Sequence, residues 1–133
     1  MYLLDTDTCV EILRGNRRVI DRRRMIYAPV VTTEITASEL FYGAAKSQKP
    51  AENRRVVQEF LRTLEVVPIG LIGAQFFGAF KATLQAEGKL IPDADLWIGS
   101  IARSLRATVV TGNSRHLSRI PGVSCEDWIR QPE

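Results

Sequence analysis

Short apolar runs alternate with longer stretches of helical period along the whole chain, and each run stops at or near an acid or amide. Leu3-Leu4 meets Asp5, Val30-Val31 leads on to Glu39, Leu90-Ile91-Pro92 opens onto Asp93 and Asp95, and Val109-Val110-Thr111 leads to Asn113. Runs this short suit buried strands, and the intervening stretches suit crossover helices. The pattern predicts an α/β fold with a central, mostly parallel sheet of four to five strands flanked by helices.

Strands are expected at residues 2–4, 28–32, 66–69 and 108–111. Thr6 or Thr8 is a candidate cap for a first helix, which Gly15 stops. Residues 17–25 suit a short and very basic second helix. Thr36-Ala37-Ser38-Glu39 matches a capping box for a third. Pro50 suits the first turn of a fourth, with Val56, Val57, Phe60, Leu61 and Leu64 at helical spacing. Residues 71–87 form a fifth, stopped by Gly88. Asp93 is the expected cap of a sixth that buries Leu96, Trp97, Ile98 and Ile101. The tail, with Ile120, Val123 and Trp128, closes the fold.

Right-handed crossovers place helix starts at the carboxyl edge of the strands. Asp5, Glu39, Asp95 and Asn113 then share one edge, where open α/β sheets bind ligands. Like charges gathered there repel unless a hard cation holds them. The readings of these residues differ. Asp7 suits a first-turn helix acid and Asp93 a cap. Glu39 is explained equally well by the capping box. Asp95 sits one turn into its helix beside an apolar face and needs a partner.

The 133 residues predict one domain spanning 1–133, and an apolar fraction of 45% is ample for one core. No apolar stretch approaches the roughly 20 residues of a membrane span. The start lacks the basic segment and long apolar run of a signal peptide. A cytoplasmic protein is expected. Cys9 and Cys125 lack metal-type spacing and read as ordinary thiols. The single histidine, His116, excludes histidine-rich metal sites and reads as a residue near the surface.

Net charge is +3, and its distribution matters more than its size. Arg14, Arg17, Arg18, Arg22, Arg23 and Arg24 crowd one segment, and Arg115 follows Asn113. Arginine suits bidentate phosphate contact. Three carboxylates with arginine-rich surroundings fit Mg²⁺- or Mn²⁺-assisted hydrolysis of a nucleic-acid phosphodiester, in which the cation activates a water. Two other classes compete. Leu3-Leu4-Asp5-Thr6-Asp7 is similar to the opening motif of haloacid-dehalogenase-type phosphatases, with Asp5 as nucleophile, but the motif order is wrong for them. A non-catalytic nucleic-acid-binding module would keep the arginines without needing the acids.

Taken in order, several motifs resemble those of the PIN-domain family, specifically VapC-type toxins of bacterial toxin–antitoxin pairs. They are Leu3-Leu4-Asp5-Thr6-Asp7, Ser38-Glu39-Leu40-Phe41-Tyr42-Gly43, Pro92-Asp93-Ala94-Asp95-Leu96-Trp97-Ile98-Gly99, Val110-Thr111-Gly112-Asn113-Ser114-Arg115-His116-Leu117 and Ile120-Pro121-Gly122-Val123. The resemblance implies a Mg²⁺-dependent endoribonuclease with Asp5, Glu39 and Asp95 as metal-binding acids. Asn113 stands where the family often has a fourth. It further implies a homodimer and a VapB-type antitoxin through which alone operator DNA is met. Structured RNA such as tRNA is the implied substrate. Arg14, Arg22, Arg23, Arg24 and Arg115 are candidates for contact with RNA or antitoxin. Gly99-Ser100 replaces small alanines, an exchange expected to be harmless.

Overall fold

Five strands, all paired in parallel, form one sheet in the order β3-β2-β1-β4-β5. The computed structural model describes residues 1–130. The strands are β1 (Tyr2–Leu4), β2 (Val30–Thr33), β3 (Glu65–Val67), β4 (Thr108–Val110) and β5 (Ser124–Glu126). Helices α1 (Thr6–Leu13) and α2 (Arg17–Arg24) join β1 to β2, and α3 (Glu34–Ala45) and α4 (Pro50–Leu61) join β2 to β3. Helices α5 (Gly70–Ala86) and α6 (Asp93–Leu105) return the chain to β4, and the short α7 (Ser114–Leu117) leads to β5.

The sheet is buried on both sides, as an all-parallel sheet requires. Successive strand residues therefore serve opposite cores. Leu3, Val31 and Val109 pack with Phe80, Leu84, Leu96 and Ile98 of α5 and α6. Leu4 and Val110 pack with Cys9, Val19, Leu40, Val57, Phe60 and Trp128 on the other face. Thr32 also points to this second face, where its hydroxyl donates to the Leu4 carbonyl at 2.7 Å and so stays satisfied though fully buried.

Three helix starts differ from expectation. The cap of α1 is Asp5, whose carboxylate accepts from the Thr8 N–H. The cap of α3 is Thr33, not Thr36, because β2 runs further and passes straight into the helix. The residue at the cap position of α6 is Pro92, so Asp93 is already helical. The third strand begins at Glu65 and ends at Val67, two residues short of the expected end. Gly99 is more than a stand-in for alanine: a Cβ there would lie 2.3 Å from Ile120 Cδ1. An alanine there would require the Ile120 side chain to move, so Gly99 lets α6 pack closely on the turn that leads into β5.

Sheet order also fixes where a ligand can sit. The chain builds outward from β1 to β2 and β3, then returns to the other side of β1 for β4. The point of reversal lies between β1 and β4, the place where open α/β sheets bind ligands at the carboxyl ends of their strands.

Candidate active site at the carboxyl edge of the sheet

Asp5 stands at this point, directly after β1 and at the cap of α1. Its N–H donates to the Val110 carbonyl at 3.1 Å, which continues the β1–β4 ladder by one residue. Its carboxylate accepts from the Thr8 N–H at 3.0 Å, and the Thr8 hydroxyl donates to the same Val110 carbonyl at 2.8 Å. Strand end and helix cap are thus one residue, and its side chain is held nearly out of solvent at 5% exposure. Burial pushes the Asp5 carboxyl up to about 6, and the nearby Asp7 charge adds to this. Hydrogen bonds from Thr111 and Thr8 oppose the shift without cancelling it. Among the described residues, no basic side chain forms an ion pair with Asp5.

Glu39 lies in the second turn of α3. With Thr33 as the cap, the capping-box explanation for Glu39 disappears. The side chain instead meets α1, where the Thr6 hydroxyl donates to Glu39 Oε1 at 2.6 Å. Thr6 Oγ1 also lies 3.2 Å from the Thr36 hydroxyl, so two threonines fix the approach of α3 to α1.

Asp95, in the first turn of α6, has the partner its position demands. His116 Nδ1 of α7 lies 2.8 Å from Asp95 Oδ2, and Asn113 Nδ2 lies 3.1 Å from the same ring nitrogen. An ionised carboxylate only accepts, so Nδ1 must carry the proton. The Asn113 amide is then satisfied only with its oxygen turned toward the ring. The Asn113 N–H donates to the Thr111 hydroxyl at 2.9 Å, which shapes the turn after β4. Acid, imidazole and amide form one hydrogen-bonded group between α6 and α7.

The remaining predicted residues separate. Asp93 is drawn to α5, where Lys81 Nζ pairs with it at 3.1 Å. Asp7 is exposed in the first turn of α1. Arg22 pairs with Glu126 at 2.9 Å and holds its carboxyl below the ordinary value. Arg23 donates to the Thr63 carbonyl at 2.8 Å and lies over the Phe60 ring. These two arginines tie α2 to β5 and α4. Arg24 borders a small cleft with Ile12 and Ile20 on the same side of the fold. Arg14 and Arg115 border clefts at the carboxyl edge.

The fit to a cation is a matter of donors rather than of a finished cage. Asp5 is a desolvated hard-oxygen donor lacking a counter-charge, which a divalent cation would supply. Yet among the described residues no three His, Cys, Asp or Glu side chains stand together closely enough to hold a metal ion. Glu39 is turned to Thr6 and Asp95 to His116. The expected shared shell of three carboxylates is not assembled in this arrangement.

Sequence reasoning assigned no part in the site to His116 as partner of Asp95 or to Thr6 as partner of Glu39. The spacing Asn113 to His116 places both on one short turn, and that was the available signal for His116. Thr6 is visible only once α1 and α3 are packed.

The comparisons agree with this geometry. Residues 2–123 match the PIN domain. The chain is 33% identical to ribonuclease VapC2 of Haemophilus influenzae, covering 96% of this chain and 98% of the relative. It is 34% identical to the tRNA(fMet)-specific endonuclease VapC of Salmonella typhimurium, covering 96% and 97%. The DNA-bound VapBC structure from Salmonella typhimurium superposes with a TM-score of 0.90 at 34% identity, covering 96% of this chain and 97% of that one. A carboxylate buried at the strand reversal, a polar group on the next strand end and a match over almost the full length agree: the chain belongs to the PIN-domain family, in the group that holds the VapC ribonucleases.

Proposed function

We propose that this protein is a divalent-cation-dependent endoribonuclease, the toxin of a VapBC-type toxin–antitoxin pair. The observation that carries the reading is Asp5, a carboxylate buried without an ion-pair partner at the carboxyl ends of β1 and β4. A phosphatase of the haloacid-dehalogenase type would need its final acids after the strand-end threonine, whereas Asp93 and Asp95 precede Thr111. A plain binding module would have no use for a charge that destabilises its own core.

Asp5 would hold Mg²⁺, with Mn²⁺ as a substitute, and Glu39 and Asp95 would join it through the oxygens not bonded to Thr6 and His116, after a closer approach than the described residues show. The bound cation supplies polarisation of the phosphodiester and activation of water. His116 is a positioning residue: its Nδ1–H fixes the rotation of the Asp95 carboxyl, as outer-shell partners of acids at such sites do. Asn113 holds the ring in turn. Thr6 plays the same part for Glu39.

The substrate is RNA presented as a loop or single strand, whose backbone bends into an open cleft. A tRNA is the first candidate, since two similar relatives are named as tRNA(fMet)-specific endonucleases. The partner is a VapB-type antitoxin, and operator DNA is reached only through it. A homodimer in the cytoplasm completes the reading. Among the described residues, no helix is long and apolar enough to cross a membrane.

Cleavage of tRNA with Mg²⁺ tests the proposal. Asp5→Asn and Asp95→Asn should each lower the rate by at least about 100-fold while circular dichroism stays unchanged. Full activity of the parent chain in excess chelator would refute the dependence on a cation.

A further inference from the structure

The described chain does not end at β5. It turns back over the carboxyl edge, and that return is built by specific bonds. Asp127 Oδ1 accepts from the N–H groups of Ile129 at 2.7 Å and Arg130 at 3.1 Å. Trp128 is buried and packs on Tyr2, with ring centroids 5.6 Å apart. Ile129 fills the space beside Gly112, where a Cβ would lie 2.8 Å from Ile129 Cδ1. The result is an arginine laid across the turn that follows β4. Arg130 Nη1 donates to the Gly112 carbonyl at 2.6 Å and lies 3.3 Å from Asp127 Oδ2.

Two clefts meet at this point. One runs from Arg14 on α1, past Asp7 and Glu11, to Gly112 and Arg130. The other runs from Gly112 and Arg130 to Asn113, Ser114 and Arg115. They share Gly112 and Arg130, so Arg14, Arg130 and Arg115 stand in sequence along one trough beside Asn113. Side chains of Arg14 and Arg130 are 73% and 71% exposed, and each keeps donors toward solvent beside its one acidic neighbour, Glu11 at 3.9 Å from Arg14 and Asp127 at 3.3 Å from Arg130. Asp127 is occupied with the bonds that place Arg130, and Glu11 accepts from Asn16 at 3.1 Å.

We propose that Arg130, flanked by Arg14 and Arg115, forms a track for the phosphates of an RNA strand that crosses the carboxyl edge of the sheet. The proposal rests on the ribonuclease reading and adds to it the path of the substrate backbone. Arginine forks suit this task, since they grip phosphate oxygens in pairs. The carboxylates at this edge repel such a backbone, so a strand reaches them only if cations on the rim offset that charge. Arg130 is tied to the turn that carries Asn113 through the Gly112 carbonyl, and Arg115 follows that turn directly. Arg22 and Arg23, spent on Glu126 and Thr63, do not line the trough.

The test is binding of a fluorescein-labelled poly(U) oligonucleotide to the full chain carrying Asp95→Asn, which suppresses cleavage, over a series of salt concentrations. Removing one phosphate-binding charge should flatten the plot of log affinity against log salt by about 0.7. Arg130→Gln and Arg115→Gln should each produce that change, and Arg130→Lys should restore most of it, because a lysine keeps the charge. Arg62→Gln, on the far end of α4, should leave the slope as it was. If Arg130 only tethers the chain end, Arg130→Gln will lower thermal stability without altering the slope, and the track is overturned. An unchanged slope with weakened antitoxin binding would reassign the arginines to that partner and also overturn it. If the background chain binds no RNA and the unmodified chain cleaves none, the ribonuclease reading itself falls and takes the track with it.

Discussion

A buried carboxylate without a counter-charge works against its own fold, and Asp5 is such a group. Its folded value of about 6 lies above the ordinary 3.8, so the native state keeps the proton where the unfolded chain has already released it. The associated stability is fully present below about pH 4 and is lost as pH rises through 6, a loss of roughly 3 kcal/mol. Asparagine keeps the cap and drops the charge. In chelator, Asp5→Asn should therefore be more stable than the parent by about 2–3 kcal/mol at pH 8 and equal to it near pH 4. Urea unfolding at the two pH values measures this, and an equal difference at both would refute it. The same substitution should abolish cleavage, which sets stability against function at one residue. The places of Asp5 at a strand end and of Asp95 in a first helical turn were legible from sequence, because strand ends and helix starts can be read from pattern. The partnership of Asp95 with His116 was not, because it joins residues 21 apart through the packing of α7 on α6.

Among the elements, helix bodies followed their apolar period closely, while their starts did not. A cap is decided by where strand pairing stops, and that depends on the neighbouring strand. Thr33 pairs with Val67 of β3 and caps α3 directly afterwards, which moved the start away from the capping box at Thr36. The fifth strand was hidden for a similar reason. Ser124-Cys125-Glu126 has little β-character alone and becomes a strand by pairing with Thr108-Val109-Val110. At the other end of a helix, α6 stops at Arg106, the one described non-glycine residue with positive φ, at 54°. Its position closes the helix, with the Ala107 N–H donating to the Ala102 carbonyl at 2.9 Å. Glycine occupies this conformation without the Cβ penalty. Arg106→Gly should stabilise the protein by about 1 kcal/mol, read as a higher denaturant midpoint at unchanged slope. A lower midpoint would mean that the Arg106 side chain makes a contribution beyond closing the helix.

Across the whole molecule, β1 is the keystone. Its three residues pair with β2 on one side and β4 on the other, and the second partner lies more than a hundred residues away. A chain ended at residue 106 keeps α1 to α6 but leaves Leu3 and Leu4 without β4, and both cores lose a strand. It should show no cooperative thermal transition by circular dichroism. A sharp transition would mean that the first three strands hold together alone. The long separation of β1 from β4 also has a meaning during synthesis. Asp5 is synthesised more than a hundred residues before Val110, so its N–H finds the Val110 carbonyl only after β4 has emerged. Pairing of such distant segments comes late in folding. On the ribonuclease reading, a nascent chain carries its key acid long before that acid is set in place, and stays harmless to the RNAs around it until β4 has emerged and paired with β1.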